Sequence, residues 1–114
     1  MPEYMLLMRG SQAGFLNLDE AGQQEVINEH LAWSRELSSR GILISGAGFS
    51  NQTVLLTPAV SGVKQIPQPF AGTDNELSGF YLIKAESLAA AIEIAHDCPA
   101  LQQGESVEVV PLGH

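Results

Sequence analysis

With 114 residues, 45% of them hydrophobic and 16% charged, this chain has the composition of one folded domain, read here as residues 1–114, and lies far from the disordered class. Thirteen acidic residues against five basic ones leave a net charge of −8, which argues against nucleic acid and anionic membrane surfaces as partners. Cys98 is the only cysteine, so no disulfide forms within the chain.

The opening run, MPEYMLLMRG, has neither the basic start of a secretory signal nor the length of a membrane span. The cytoplasm is therefore the expected location. Tyr4 to Met8 reads as a first strand, ended by Arg9-Gly10. Asn17 to Arg40 carries the longest helical pattern, with Asn17 and Glu20 spaced as a capping box and Arg40-Gly41 as the stop. Ile42 to Ser45 follows as a second strand, broken by Gly46 and Gly48. Thr53–Thr57 and Val63–Ile66 form a hairpin joined by PAVSG, and GFYLI, Gly79–Ile83, is the next strand. Ser87 caps a second helix whose Leu88, Ala91, Ile92 and Ala95 share a face, and Pro99 stops it. Ser106 to Pro111 is the last strand.

Without the hairpin, this order is βαββαβ, the ferredoxin-like α+β arrangement of an antiparallel sheet with two helices on one face. The strands add a further constraint. Tyr4, Leu6 and Met8 alternate with Met5 and Leu7, and Phe80 and Leu82 alternate with Tyr81 and Ile83, so both sheet faces are apolar. Two helices cover one face. The other is expected to meet a second copy of the chain, as a homodimer packed sheet to sheet.

On the first long helix, Val26, His30, Trp33 and Leu37 fall in one stripe, away from Glu25, Glu29 and Glu36. His30 therefore belongs to the face that lies on the sheet. Such a histidine is either a core residue satisfied by a backbone carbonyl or a buried imidazole able to accept a proton. Trp33 and Ser34 would give it an apolar wall and a hydroxyl. The remaining candidates have simpler explanations. His96 suits a helix C-terminus, Cys98 before a proline reads as a packed side chain, and Glu105 and Glu108 read as solvent-facing charges. The histidines at 30, 96 and 114 have no metal-ligand spacing, and Gly46-Ala47-Gly48 is not a phosphate loop, so no metal site is expected.

The strand YMLLMRG, the helix EHLAWSRELSSRGIL, Pro69-Phe70, LSGFYLI, and Cys98-Pro99-Ala100 before SVEVVP together resemble the YCII-related proteins over nearly the whole chain. Within them the resemblance is to the branch named for its Asp-Gly-Pro-Phe loop. It implies a dimeric α+β barrel of two ferredoxin-like subunits, each with a cavity between helices and sheet. It also implies a possible active site at the helix histidine, His30, with an acidic partner. It fixes neither reaction nor cofactor. Matching Pro69-Phe70 to that loop puts Pro67 in place of the acid and Gln68 in place of the glycine. Proline has no polar side chain, and prolines 67 and 69 bias Ile66 and Gln68 to extended backbone. Asp74, a few residues on, is the carboxylate that could reach the cavity instead.

Two functions follow from these residues. In one, the chain is an enzyme in which His30 is a general acid or base on a small, partly apolar substrate held by Trp33, Ser34, Phe70 and Tyr81. In the other, the same cavity binds a ligand without catalysis, or the dimer surface binds a protein.

Overall fold

A computed structural model of the chain describes residues 1–113. The element order is β1 (Glu3–Arg9), α1 (Ala13–Leu16), α2 (Glu20–Ser39), β2 (Leu43–Gly48), β3 (Val54–Ala59), β4 (Gly62–Pro67), β5 (Leu77–Lys84), α3 (Leu88–Ala95), α4 (Pro99–Gln102) and β6 (Ser106–Pro111). Four strands make one antiparallel sheet in the order β2-β5-β1-β6, while β3 and β4 pair only with each other. The two outer strands are reached by crossovers through α2 and α3, which is the split βαβ arrangement of a ferredoxin-like fold.

The core follows from the strand period. Tyr4, Leu6 and Met8 of β1 and Tyr81 and Ile83 of β5 are buried on one face, where they meet Trp33 and Leu37 of α2 and Ala91 and Ala95 of α3. The stripe of α3 comes out narrower than expected. Leu88 and Ile92 of α3 stay exposed, because α3 approaches the sheet on its alanines. Ser87 caps that helix through Ala90 N at 3.1 Å, as its position suggests.

Helix boundaries differ from the sequence expectation in two places. The N-cap of α2 is Asp19, whose Oδ1 accepts from Gly22 N at 2.8 Å, and not Asn17, which instead ends the short helix α1. Pro99 does not stop α3. That helix closes at His96, and Pro99 opens α4 at a position where its missing N–H costs nothing. The end of α2 is as expected: Gly41 takes φ of 70°, with Ile42 N on Leu37 O and Gly41 N on Ser38 O, a Schellman close.

The glycines of β2 are not breaks. The strand continues through Gly46 to Gly48, and after an irregularity between Leu43 and Ser45 it pairs with β5 to its end. A Cβ on Gly46 would sit 3.1 Å from Phe80 O, and one on Gly79 would sit 2.6 Å from Ala47 O. These glycines allow two strands to come together closely, a use of glycine that a local reading takes for an ending.

The other sheet face carries Met5, Leu7 and Leu82, all half-buried within this one chain. The β3–β4 hairpin stands further out. Its strands pack chiefly on each other, and Val54, Leu55, Leu56 and Val63 are exposed. Among the described residues, no helix is long and apolar enough to cross a membrane.

Candidate functional site

The helix–sheet layer leaves a cavity of about 670 Å³ between α1, α2, the ends of β2 and β5, and the segment from Gln103 to Glu105. Its wall is mostly apolar, with Phe15 and Leu18 on one side and Ala47, Phe49 and Phe80 on the other. Phe49 and Phe80 stack with centroids 5.9 Å apart. The short helix α1 is fastened to α2 by Gln23 Nε2 donating to Phe15 O at 3.2 Å, which fixes that side of the mouth.

His30 lines this cavity from α2, and Tyr81 lines it from β5. Nδ1 of His30 lies 2.6 Å from the Tyr81 hydroxyl, and the two rings are nearly parallel with centroids 5.9 Å apart. The other ring nitrogen, Nε2, lies 3.0 Å from Gln103 Oε1. Gln103 Nε2 in turn donates to Glu29 Oε2 at 3.0 Å. A carboxylate can only accept, so Glu29 turns the Gln103 amide with its carbonyl oxygen toward His30. That oxygen requires a proton on Nε2. In the neutral ring, Nδ1 is then the acceptor of the Tyr81 O–H.

Burial pushes the Tyr81 phenol up to about 12, with the Ser34 hydroxyl partly offsetting it and Cys98 adding slightly. Trp33 packs edge-on against Tyr81 at 4.9 Å and is buried beneath it, so it supports the ring and does not line the cavity. Ser34 lines the cavity and donates to the His30 carbonyl at 2.9 Å.

The loop residues stand elsewhere. Phe70 is 47% exposed, Asp74 is exposed, and neither is part of the cavity wall in the single chain. The loop itself also differs from expectation. Gln68 is not extended but has φ of 44°, and its N–H donates to Thr53 O at 2.7 Å. The turn keeps the left-handed position that a glycine would fill most easily.

A different carboxylate faces the cavity. Glu105, expected in solvent, is half-buried and accepts from Ser78 Oγ at 2.8 Å and from Gln12 Nε2 at 3.0 Å. Its sequence signal is weak, because the partners that turn it inward lie 27 and 93 residues away. Glu108 is exposed, 3.2 Å from Arg9. Cys98 is buried against Met8, and burial pushes its thiol up to about 11, opposite to what a nucleophile needs. His96 is exposed. Among the described residues no cluster could hold a metal ion. His114 lies outside the described residues.

Comparison with known proteins bears on this arrangement. The family model for the YCII-related domain matches residues 3–112. No curated protein matches. Among solved structures, the chain is similar to 5-chloro-2-hydroxyhydroquinone dehydrochlorinase from Burkholderia phenoliruptrix, in complex with 2,5-dihydroxybenzoquinone. The two are 14% identical and superpose with a TM-score of 0.56, covering 98% of this chain and 94% of that one, a likeness of fold. The chain belongs to the YCII-related domain family.

Proposed function

We propose that this YCII-related chain binds a small, largely apolar molecule in its helix–sheet cavity and that His30 and Tyr81 move a proton on it. The observation that carries this reading is the 2.6 Å contact between His30 Nδ1 and the Tyr81 hydroxyl on the cavity wall. A ligand hydroxyl gives its proton to Tyr81 Oη as Tyr81 passes its own to His30 Nδ1. The phenol need never ionise alone, which suits a group raised to about 12. The imidazolium that forms keeps its Nε2 proton on Gln103, and Glu29 stabilises it through that amide. The reverse transfer makes the pair a general acid.

An enzyme of similar fold named for a hydroxylated aromatic ring suggests resorcinol, a neutral dihydroxybenzene, as a first probe. In D2O, followed by proton NMR, the wild-type chain is expected to accelerate exchange of the resorcinol ring hydrogens. The His30→Gln and Tyr81→Phe variants should lose ~10²–10⁴ of that rate, the usual worth of a positioned acid–base group. Resorcinol bound in the cavity with equal exchange in wild type and His30→Gln would mean a binding site without this chemistry.

The same reading includes a homodimer. The uncovered sheet face of Met5, Leu7 and Leu82 and the exposed apolar hairpin support it. An isolated two-stranded hairpin is marginal in water, so a second surface is needed to hold it. Light scattering at micromolar concentration should give about twice the 12.2 kDa chain mass, and a monomer mass removes the dimer. Pro69-Phe70 supports the finer placement in the Asp-Gly-Pro-Phe branch.

A further inference from the structure

Glu105 has a place in the cavity that the proton relay does not use. Among the described residues it is the only carboxylate on a wall that carries no lysine and no arginine. Its side chain is held from both ends: Ser78 Oγ donates to Oε1 at 2.8 Å and Gln12 Nε2 to Oε2 at 3.0 Å. Gln12 is fixed in its own right. Its Nε2 also donates to Gly10 O at 3.0 Å, and its backbone N–H to Glu76 Oε1 at 3.3 Å.

The backbone also makes room for this carboxylate. A Cβ on Gly10 would sit 2.9 Å from Glu105 Cγ and 3.2 Å from its Cα, so only glycine lets the side chain lie against the end of β1. A solvent-facing charge needs neither the cleared space nor two side-chain donors. A carboxylate has about four acceptor positions, and the two donors here occupy two. Two remain for a further donor, and Glu105 lines the cavity.

We propose that Glu105 is the ligand-selecting residue of this site: it accepts a hydrogen bond from a hydroxyl or ammonium group of the bound molecule and excludes molecules carrying a carboxylate or phosphate. The inference rests on the ligand-binding reading above but not on proton transfer by His30. Its physical basis is the one-sided electrostatics of the cavity. A ligand donor meets an oriented acceptor in a partly dry site, where a charge-assisted hydrogen bond is roughly twice as strong as a neutral one. An anion meets a fixed negative charge with no lysine or arginine on the wall, among the described residues, to offset it, within a chain already at −8.

The test is a ligand series of one shape, measured by calorimetry or by NMR titration. Resorcinol carries two donors, 1,3-dimethoxybenzene carries none, and 3-hydroxybenzoate adds an anion. Wild type is expected to bind resorcinol at least about tenfold more tightly than either of the others, a ratio equivalent to ~1.4 kcal/mol. In Glu105→Gln, which keeps the shape and removes the charge, the penalty on 3-hydroxybenzoate should shrink several-fold. If 3-hydroxybenzoate binds the wild type as well as resorcinol does, the proposal is overturned. The same holds if Glu105→Gln leaves the order and spacing of affinities unchanged, or if none of the three binds. The wild-type series decides the matter even if the variant does not fold. The two readings separate cleanly: a donor preference with no proton exchange keeps the selector and removes the relay, and exchange without the preference does the reverse.

Discussion

The four-stranded sheet and the β3–β4 hairpin are built from similar apolar residues and end in opposite conditions. In the sheet, Leu6 and Ile83 are fully buried against Leu37 of α2, around a floor that holds Tyr81 under His30. In the hairpin, Val54, Leu56 and Val63 face outward. One face of the sheet is covered by the chain's own helices, whereas its other face and the hairpin are proposed to be covered by another copy. This division sorts the site residues. His30, Ser34 and Tyr81, on α2 and the sheet, converge on the cavity with Trp33 buried beneath them, and those on the loop that follows the hairpin, Phe70 and Asp74, remain outside it.

The largest effect that would break this contrast is in the floor. Leu37→Ala should destabilise the chain by about 2–5 kcal/mol in a urea melt, the range for a buried leucine whose site closes only partly. The matching change in the hairpin, Leu56→Ser, should cost the isolated chain little, since Leu56 is exposed. Its expected effect is on association, a dimer dissociation constant raised about tenfold in sedimentation or light scattering, worth ~1.4 kcal/mol. Equal losses of chain stability from the two substitutions would contradict the division.

Alkaline pH sharpens the same contrast, because both raised groups belong to the buried floor. Cys98 goes from 9.0 to about 11 and Tyr81 from 10.0 to about 12, each chiefly by burial. An acid with a raised folded value binds its proton more tightly in the folded state. Stability is therefore fully present below about pH 9, where both are protonated in either state. It falls as pH rises toward 11 to 12, where the unfolded chain releases protons that the folded chain keeps. Urea melts of wild type between pH 8 and pH 11 should show this decline, and Tyr81→Phe should flatten its upper part. A smaller effect belongs to the loop. Gln68 occupies φ of 44°, so Gln68→Gly should stabilise the chain by about 1 kcal/mol, read as a rise in melting temperature. No rise would mean that Gln68 is not strained there.

How much of this was legible beforehand depends on the range of the interactions involved. The strand alternation at Tyr4–Met8 and the stripe of Val26, His30, Trp33 and Leu37 are local periodicities, and they place the sheet, α2 and His30 correctly in the fold. Gly46 and Gly48 read as strand ends because their reason for being glycine, the approach of β5, is set by residues more than 30 positions away. Glu105 looks like any charge beside a last strand until Gln12 and Ser78 are brought to it. Gln103 likewise gives no local hint that it orients His30, since nothing in its neighbourhood indicates contact with Glu29. The loop around Pro69-Phe70 has a recognisable pattern, but a pattern does not say where the hairpin carries it.

The proton relay requires that His30 present an unprotonated Nδ1 to Tyr81. Long-range nitrogen–proton NMR of the His30 ring, in wild type and in Tyr81→Phe, reads this directly. The account predicts the Nε2-protonated tautomer for the neutral ring in wild type, with the Nδ1 resonance shifting when the Tyr81 hydroxyl is removed. A ring protonated at Nδ1, donating to Tyr81 instead of accepting from it, would contradict the relay.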